Sequence, residues 1–227
     1  MIVLTGASGG IGQGIINQLC DIDNVIGIYN STEPISTGDD RIVYERVDIE
    51  NPTDVDNFVN KFREKLSNIS LIHCAASKVD SLAANLELSD WDHVIGINLR
   101  ANFILSQAFL PLMIAEKWGR IIHISSRPGF EGAPGTIAYA TSKTGLIGMS
   151  KVLAKEHARF NISSNILVLG TFETGLFHDL SEAEKQRILD QIPSKKFGDL
   201  TNITNAVEFV IKSGYVNAST INIDGGW

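Results

Sequence analysis

Tyr139 follows Ser126 by thirteen positions, and Lys143 follows Tyr139 by four. Residues at i and i+4 share a helix face, so on a helix the phenol and the ammonium point the same way. A free tyrosine, with a pKa near ~10, holds its proton too tightly to act as a base at neutral pH. A neighbouring ammonium favours the phenolate and lowers that pKa. A tyrosine tuned in this way can give a proton to a carbonyl oxygen or take one from an alcohol. A serine hydroxyl beside it, Ser126, can hydrogen-bond the same oxygen as charge develops there. Taken alone, Tyr-x-x-x-Lys is an ordinary surface pair on a helix. The chemical reading needs the rest of the chain.

The second constellation is at the N-terminus. An apolar run at 2–5 leads into Thr5-Gly6-Ala7-Ser8-Gly9-Gly10-Ile11-Gly12, and a helical pattern follows at once. A dinucleotide pyrophosphate needs free backbone N–H groups at a helix N-terminus. Gly6 permits the tight turn, Gly10 a close approach of backbone to phosphate, and Gly12 close packing of helix on strand. The spacing is G-x-x-x-G-x-G rather than G-x-G-x-x-G. No Lys-Ser or Lys-Thr follows the last glycine, which excludes a Walker phosphate loop.

The second apolar run ends Tyr29-Asn30-Ser31-Thr32. An acidic residue there accepts the adenosine ribose hydroxyls of NAD and would repel a 2′-phosphate. Its absence, with Asn30 and Ser31 as hydrogen-bond donors, favours NADP(H) over NAD(H). Two features oppose this. No Lys or Arg lies between Val25 and Asp40, and Gly9 stands where NADP enzymes often carry a basic residue.

Positioning these groups takes a sheet. Short runs rich in β-branched residues occur at 2–5, 25–29, 42–47, 69–74, 120–125, 165–169 and 219–223. Fully apolar runs of this length suit strands buried on both faces. Between them, helices are expected at 10–20, 53–66, 82–85, 89–115 (with a bend), 136–160, 181–191 and 202–213. The alternation predicts right-handed βαβ units in one α/β domain with a doubly wound, seven-stranded parallel sheet. The stretch 171–200 interrupts it, and Ser181 with Glu184 fits a capping box. This insert is expected to form a lid beyond the carboxyl edge of the sheet, where open α/β sheets bind ligands.

The 227 residues are 44% hydrophobic and carry a formal charge of −7. That composition excludes a disordered chain and disfavours nucleic acid or an anionic membrane as a partner. No run of ~20 uninterrupted apolar residues and no basic-then-apolar leader is present, so a cytoplasmic protein without a membrane span is expected. Cys20 and Cys74 are too few for a disulfide framework and read as buried thiols. His73, His93, His123, His157 and His178 have no metal-ligand spacing, so no metal is expected. Phe130, Phe172, Leu176 and Phe177 suggest a partly apolar substrate pocket.

Taken together, these residues resemble the short-chain dehydrogenase/reductase family in its compact branch, and most closely its 3-oxoacyl-[acyl-carrier-protein] reductase-like members. The resemblance runs from Thr5-Gly6 to Asp224-Gly225-Gly226. It implies a Rossmann fold, a homotetramer or homodimer, and hydride transfer between a nicotinamide cofactor and a small carbonyl or alcohol substrate. By position it implies that Gly6, Ser8, Gly10 and Ile11 hold pyrophosphate, and that Asp48 and Ile49 contact adenine. The family's Asn-Asn-Ala-Gly reads His73-Cys74-Ala75-Ala76, so Cys74, Ala75 and Ala76 would lie beside the nicotinamide ribose, with Ala76 adding a methyl where glycine is usual, and Lys143 would bind the same ribose. Phe172 would meet the carboxamide through its backbone, and Thr174 would lie near the phosphates. Asn98 would complete Ser126, Tyr139 and Lys143 as a catalytic four by holding a relay water. Two other readings remain. One is a non-catalytic dinucleotide-binding regulator or scaffold, which would be expected to have lost one of the four. The other is a sugar or secondary-alcohol dehydrogenase of the same fold.

Overall fold

The computed structural model describes every residue except Leu176, His178 and Asp179. The expectations attached to Leu176 and His178 therefore lie outside the described residues. Seven strands form one parallel sheet: β1 (Ile2–Thr5), β2 (Val25–Tyr29), β3 (Ile42–Arg46), β4 (Ser70–His73), β5 (Gly119–Ser126), β6 (Ile162–Leu169) and β7 (Thr220–Ile223). Their order is β3-β2-β1-β4-β5-β6-β7. β1, β4 and β6 are buried throughout, as strands covered on both faces are, and the polar residues of β6, Ser163, Ser164 and Asn165, are buried with the rest.

Helices α1 (Gly10–Cys20) and α8 (Leu200–Lys212) cover one face of the sheet. Ile15, Ile16 and Leu19 pack there with Ile203, Val207 and Val210. Helices α2 (Pro52–Phe62) and α4 (Ala101–Glu116) cover the other, where Phe58 and Phe62 meet Leu105, Phe109 and Met113. Leu88–Glu116 is one continuous helical stretch, long and apolar enough to cross a membrane by composition. Here its apolar side lies on the sheet, with Ala101, Leu105, Phe109 and Met113 fully buried. It is a core helix of this domain.

The bend expected within 89–115 has a definite form. Helix α3 (Leu88–Ile95) joins α4 through a π-helical turn, Gly96–Arg100. Single π-turns inside α-helices recur at functional sites, and this one carries Asn98. The helix expected at 82–85 is absent. Asn85 N–H donates to the Leu82 carbonyl at 2.8 Å and closes a single turn. Four residues cannot repay the cost of helix nucleation, and Leu82 stays exposed.

Helix α5 (Pro128–Glu131) was not anticipated, and β6 begins three residues earlier than the apolar run suggests. Helix α6 (Ile137–His157) continues as a 3₁₀ turn through Phe160. In the insert, α7 (Glu182–Gln191) starts at the expected capping box, with Ser181 as its cap and Glu184 reaching back.

Candidate active site

In a sheet of this order the crevice opens at the carboxyl ends of β1 and β4, where the chain reverses its direction of winding. The glycine turn closes there. Gly6 has φ +69°, a backbone conformation that side chains disfavour. A Cβ on Gly12 would lie 2.1 Å from the Gly6 carbonyl oxygen, so helix and turn meet at a distance only glycine allows. Gly9 caps α1 without a side-chain hydrogen bond, which leaves the first N–H groups of α1 facing outward. Thr5 Oγ1 accepts from the Cys74 and Ala75 N–H groups, each at 3.0 Å, and ties β1 to the segment after β4.

A groove of about 470 Å³ runs along this edge. Its wall includes Gly6, Ser8, Gly10, Ile11, Asn30, Ser31, Asp48, Ile49, Cys74, Ala75 and Ala76, every residue assigned to the cofactor from its first glycine through the third strand and the end of the fourth. Tyr29, Thr32, Glu50 and Ile97 also line it. An open groove ending on a bare helix N-terminus fits a dinucleotide. Ala76 has a negative φ, so the methyl it adds in place of glycine is sterically accommodated by the backbone. Thr174 and Gly175 are outside the groove wall but lie over Gly10, where an added Cβ would come within 2.9 Å of the Gly175 nitrogen. Phe172 is buried and its ring lies on Gly198.

The catalytic candidates lie at the inner end. Ile97 lines the groove and the next residue, Asn98, is fully buried. Its side chain accepts from Ser77 N–H at 2.7 Å and donates to the Ser77 carbonyl at 2.8 Å and to Ser142 Oγ at 3.0 Å. Ser142 Oγ donates to the Tyr139 carbonyl at 2.7 Å. Asn98 thus links the loop after β4 to the turn of α6 that carries Tyr139. Ser142 and Ser77 are contacts the spacing gave no reason to single out.

Tyr139 and Lys143 share one face of α6, with the Lys143 Nζ 5.7 Å from the phenol ring centre. Lys143 is buried and donates to the Ile124 carbonyl at 2.8 Å. Burial lowers its pKa to about 8. The expectation that this lysine pulls Tyr139 down is not met. Burial raises the phenol, and the nearby Ser126 hydroxyl only partly opposes that. The reason is shared desolvation, which disfavours the charged form of both groups. Ser126 lies close enough to favour the phenolate, yet its Oγ has no hydrogen-bond partner of full geometry. The Oγ atoms of Ser125 and Ser126 are both buried without a hydrogen-bond partner among the described residues. Cys74 lines the groove and lies near both Tyr139 and Lys143. It is half-buried, and burial of its thiol raises the pKa to about 11.

Behind Lys143, two buried histidines stack with ring centres 4.9 Å apart, His73 from β4 and His123 from β5. His123 Nδ1 lies 3.1 Å from Asn102 Oδ1, and Asn102 donates its amide to the Asn98 carbonyl at 2.9 Å. Both imidazoles are held neutral by burial, His123 with a pKa of about 3.

On the substrate side the aromatic expectation is partly redirected. Phe177 and Phe172 are buried in the packing of the insert, Phe177 edge-on to Phe197, while Phe130 is exposed. A separate cavity of about 330 Å³, between the insert and the ends of β6 and β7, contains none of the four catalytic candidates.

Residues 1–185 match the family model for short chain dehydrogenases. The chain is 34% identical to the 3-oxoacyl-[acyl-carrier-protein] reductase FabG of Rickettsia typhi, over 99% of this chain and 95% of that one. It is 32% identical to FabG of Aquifex aeolicus and to nodulation protein G of a Rhizobium species, with the same coverage. In three dimensions it resembles a putative gluconate dehydrogenase of Agrobacterium tumefaciens, with a TM-score of 0.91 over 100% of this chain and 94% of that one. At 21% identity, that likeness shows the fold alone. The chain belongs to the short-chain dehydrogenase family, and is an oxidoreductase that interconverts a carbonyl and an alcohol with a nicotinamide dinucleotide.

Proposed function

We propose that this protein is an NADP(H)-dependent carbonyl reductase acting on 3-oxoacyl thioesters, with Tyr139 as the proton donor. The observation that carries the reading is the face shared by Tyr139 and Lys143, braced by Asn98 through Ser142 and flanked by the unpartnered Ser126 hydroxyl. A scaffold that had retired from catalysis has no use for this set.

The bound nicotinamide supplies the hydride. Gly6, Ser8, Gly10 and Ile11 hold the pyrophosphate on the α1 N-terminus, and Asp48 and Ile49 border the adenine. Cys74, Ala75 and Ala76 line the inner end of the groove. Thr174 lies over Gly10 and covers the groove from the insert, which acts as a lid over 171–200, while Phe172 would meet the carboxamide through its backbone. Ser126 donates to the substrate oxygen as negative charge grows on it. Tyr139, kept protonated by burial, transfers its proton to that oxygen. Lys143 in its ammonium form, 5.7 Å from the phenol ring centre, offsets part of the cost that burial places on the phenolate left behind. Asn98 fixes the α6 turn and the loop after β4, and so holds Tyr139 in register with the groove.

The thioester assignment rests on the names of the FabG relatives, which match nearly the full chain. The reading includes a cytoplasmic location and a homodimer or homotetramer, with exposed Phe103 of α4 and Val152 of α6 on faces a second copy would cover. Size-exclusion chromatography with light scattering tests the assembly. The decisive assay follows cofactor oxidation with acetoacetyl thioesters, simple ketones and oxidised sugars, using NADPH and NADH in parallel. Turnover restricted to sugars would overturn the thioester reading, and no turnover with any carbonyl would overturn the catalytic one.

A further inference from the structure

Along the chain, the end of β2 has no cation. The fold brings one from the neighbouring strand. Tyr29 pairs with Arg46 in the β2–β3 register, which puts Arg46 beside the last residue of β2. The Arg46 side chain then reaches across, and its Nε donates to the Asn30 carbonyl at 3.0 Å. Asn30, Ser31 and Thr32 form the adjoining wall of the dinucleotide groove, while Arg46 itself lines the neighbouring crevice with Asp54 and Lys61.

This guanidinium is uncommitted. Its two terminal amino groups have no protein partner among the described residues, and no carboxylate pairs with it. Nearby cations are engaged elsewhere. Arg41, at the opposite end of β3, bonds Asp39 and the Cys20 carbonyl, while Lys61 bonds Glu45 and Arg100 bonds the Glu50 carbonyl. An arginine anchored by Nε presents its remaining N–H donors in a fixed fork, the geometry that suits a phosphate. Asn30 and Ser31 add neutral donors next to it.

We infer that Arg46 recognises the 2′-phosphate of NADP(H), supplying from β3 the positive charge that the β2 turn and the glycine turn lack. The inference rests on the NADP(H) reading above and names the residue responsible for it.

The test is calorimetric titration of the full chain with 2′,5′-ADP and with 5′-ADP, then with NADPH and NADH. The wild type is expected to prefer the 2′-phosphorylated member of each pair. Arg46→Gln should weaken 2′,5′-ADP and NADPH by about 10- to 100-fold, the scale of one charge-assisted contact, and leave 5′-ADP and NADH within about twofold. Arg46→Lys, which keeps charge but loses the fork and the Asn30 anchor, should fall between them. Arg46 is exposed, and a thermal melt checks that each variant is folded. If the wild type prefers the 2′-phosphate and Arg46→Gln keeps that preference, the Arg46 assignment is wrong while the NADP(H) reading stands. Equal weakening of both nucleotides means that the guanidinium stacks on adenine, which also overturns the assignment. No preference in the wild type overturns both readings.

Discussion

Burying Lys143 should cost the folded protein stability, in a way that depends on pH. Its pKa falls from an ordinary 10.5 to about 8. Below pH 8 both folded and unfolded chains carry the proton, and the full cost is present. It amounts to about 2.5 pKa units, or about 3 kcal/mol at 1.36 kcal/mol per unit. Between pH 8 and 10.5 the unfolded chain binds the proton and the folded one has released it, so stability rises with pH. Lys143→Met keeps the apolar stem and removes the titration. It also loses the hydrogen bond to Ile124, a roughly constant offset. The stability of the variant minus that of the wild type, measured by urea unfolding, should therefore fall by about 2 kcal/mol from pH 7.5 to 10. Turnover should be lost at every pH. A stability difference that stays flat across this range would refute the claim that Lys143 is held against its preferred charge by burial.

Tyr139→Phe removes the proton donor and should lower kcat by about 10²- to 10⁴-fold while cofactor binding, followed by titration, largely survives. Full rates in this variant would end the proposed chemistry. In the wild type, kcat/KM for carbonyl reduction should decline above pH about 8 as the Lys143 ammonium is lost; a profile level to pH 10 would contradict this. The buried histidines give an opposite-limb effect. Their folded pKa values are depressed, so below about 6.5 the unfolded chain takes up protons that the folded chain refuses, and stability drops as pH falls toward about 3. From pH 7 to 5, His123→Phe should lose about 2 kcal/mol less than the wild type in urea unfolding, and equal losses would show that His123 titrates normally. Gly12→Ala should abolish cofactor binding and lower the melting temperature, because its methyl meets the Gly6 carbonyl oxygen at 2.1 Å. Unchanged binding would mean that the turn yields.

Much of this protein is local and therefore legible in one dimension. Strands buried on both faces are mostly apolar, so β1, β2 and β4 read as runs, whereas the buried Ser163 and Ser164 hide the start of β6. The glycine turn is read from its own residues, and so is the Ser181 cap of α7, because each depends on backbone geometry within a few positions. Tyr139 and Lys143 share a face for the same reason. The turn at 82–85 has the composition of a helix but not the length, and composition says nothing about nucleation.

What composition and spacing could not supply is anything set by neighbours distant in the chain. The Tyr139 phenol and the Lys143 amine are four residues apart, yet their proton affinities are governed by burial in the closed fold. The spacing suggested a lowered phenol, and burial raised it. His73 and His123 looked like isolated histidines until adjacent strands stacked them. Arg46 is sixteen residues from Asn30, and only the parallel register of β2 and β3 brings its guanidinium to the Asn30 carbonyl. The sequence alone marked most of the elements and the residues at the carboxyl edge of the sheet, because helix and strand periods and glycine turns act over a few residues. Tertiary structure decided the proton affinities of those residues and which distant side chains stand beside them, because electrostatics acts through space and water exclusion exists only once the chain has closed.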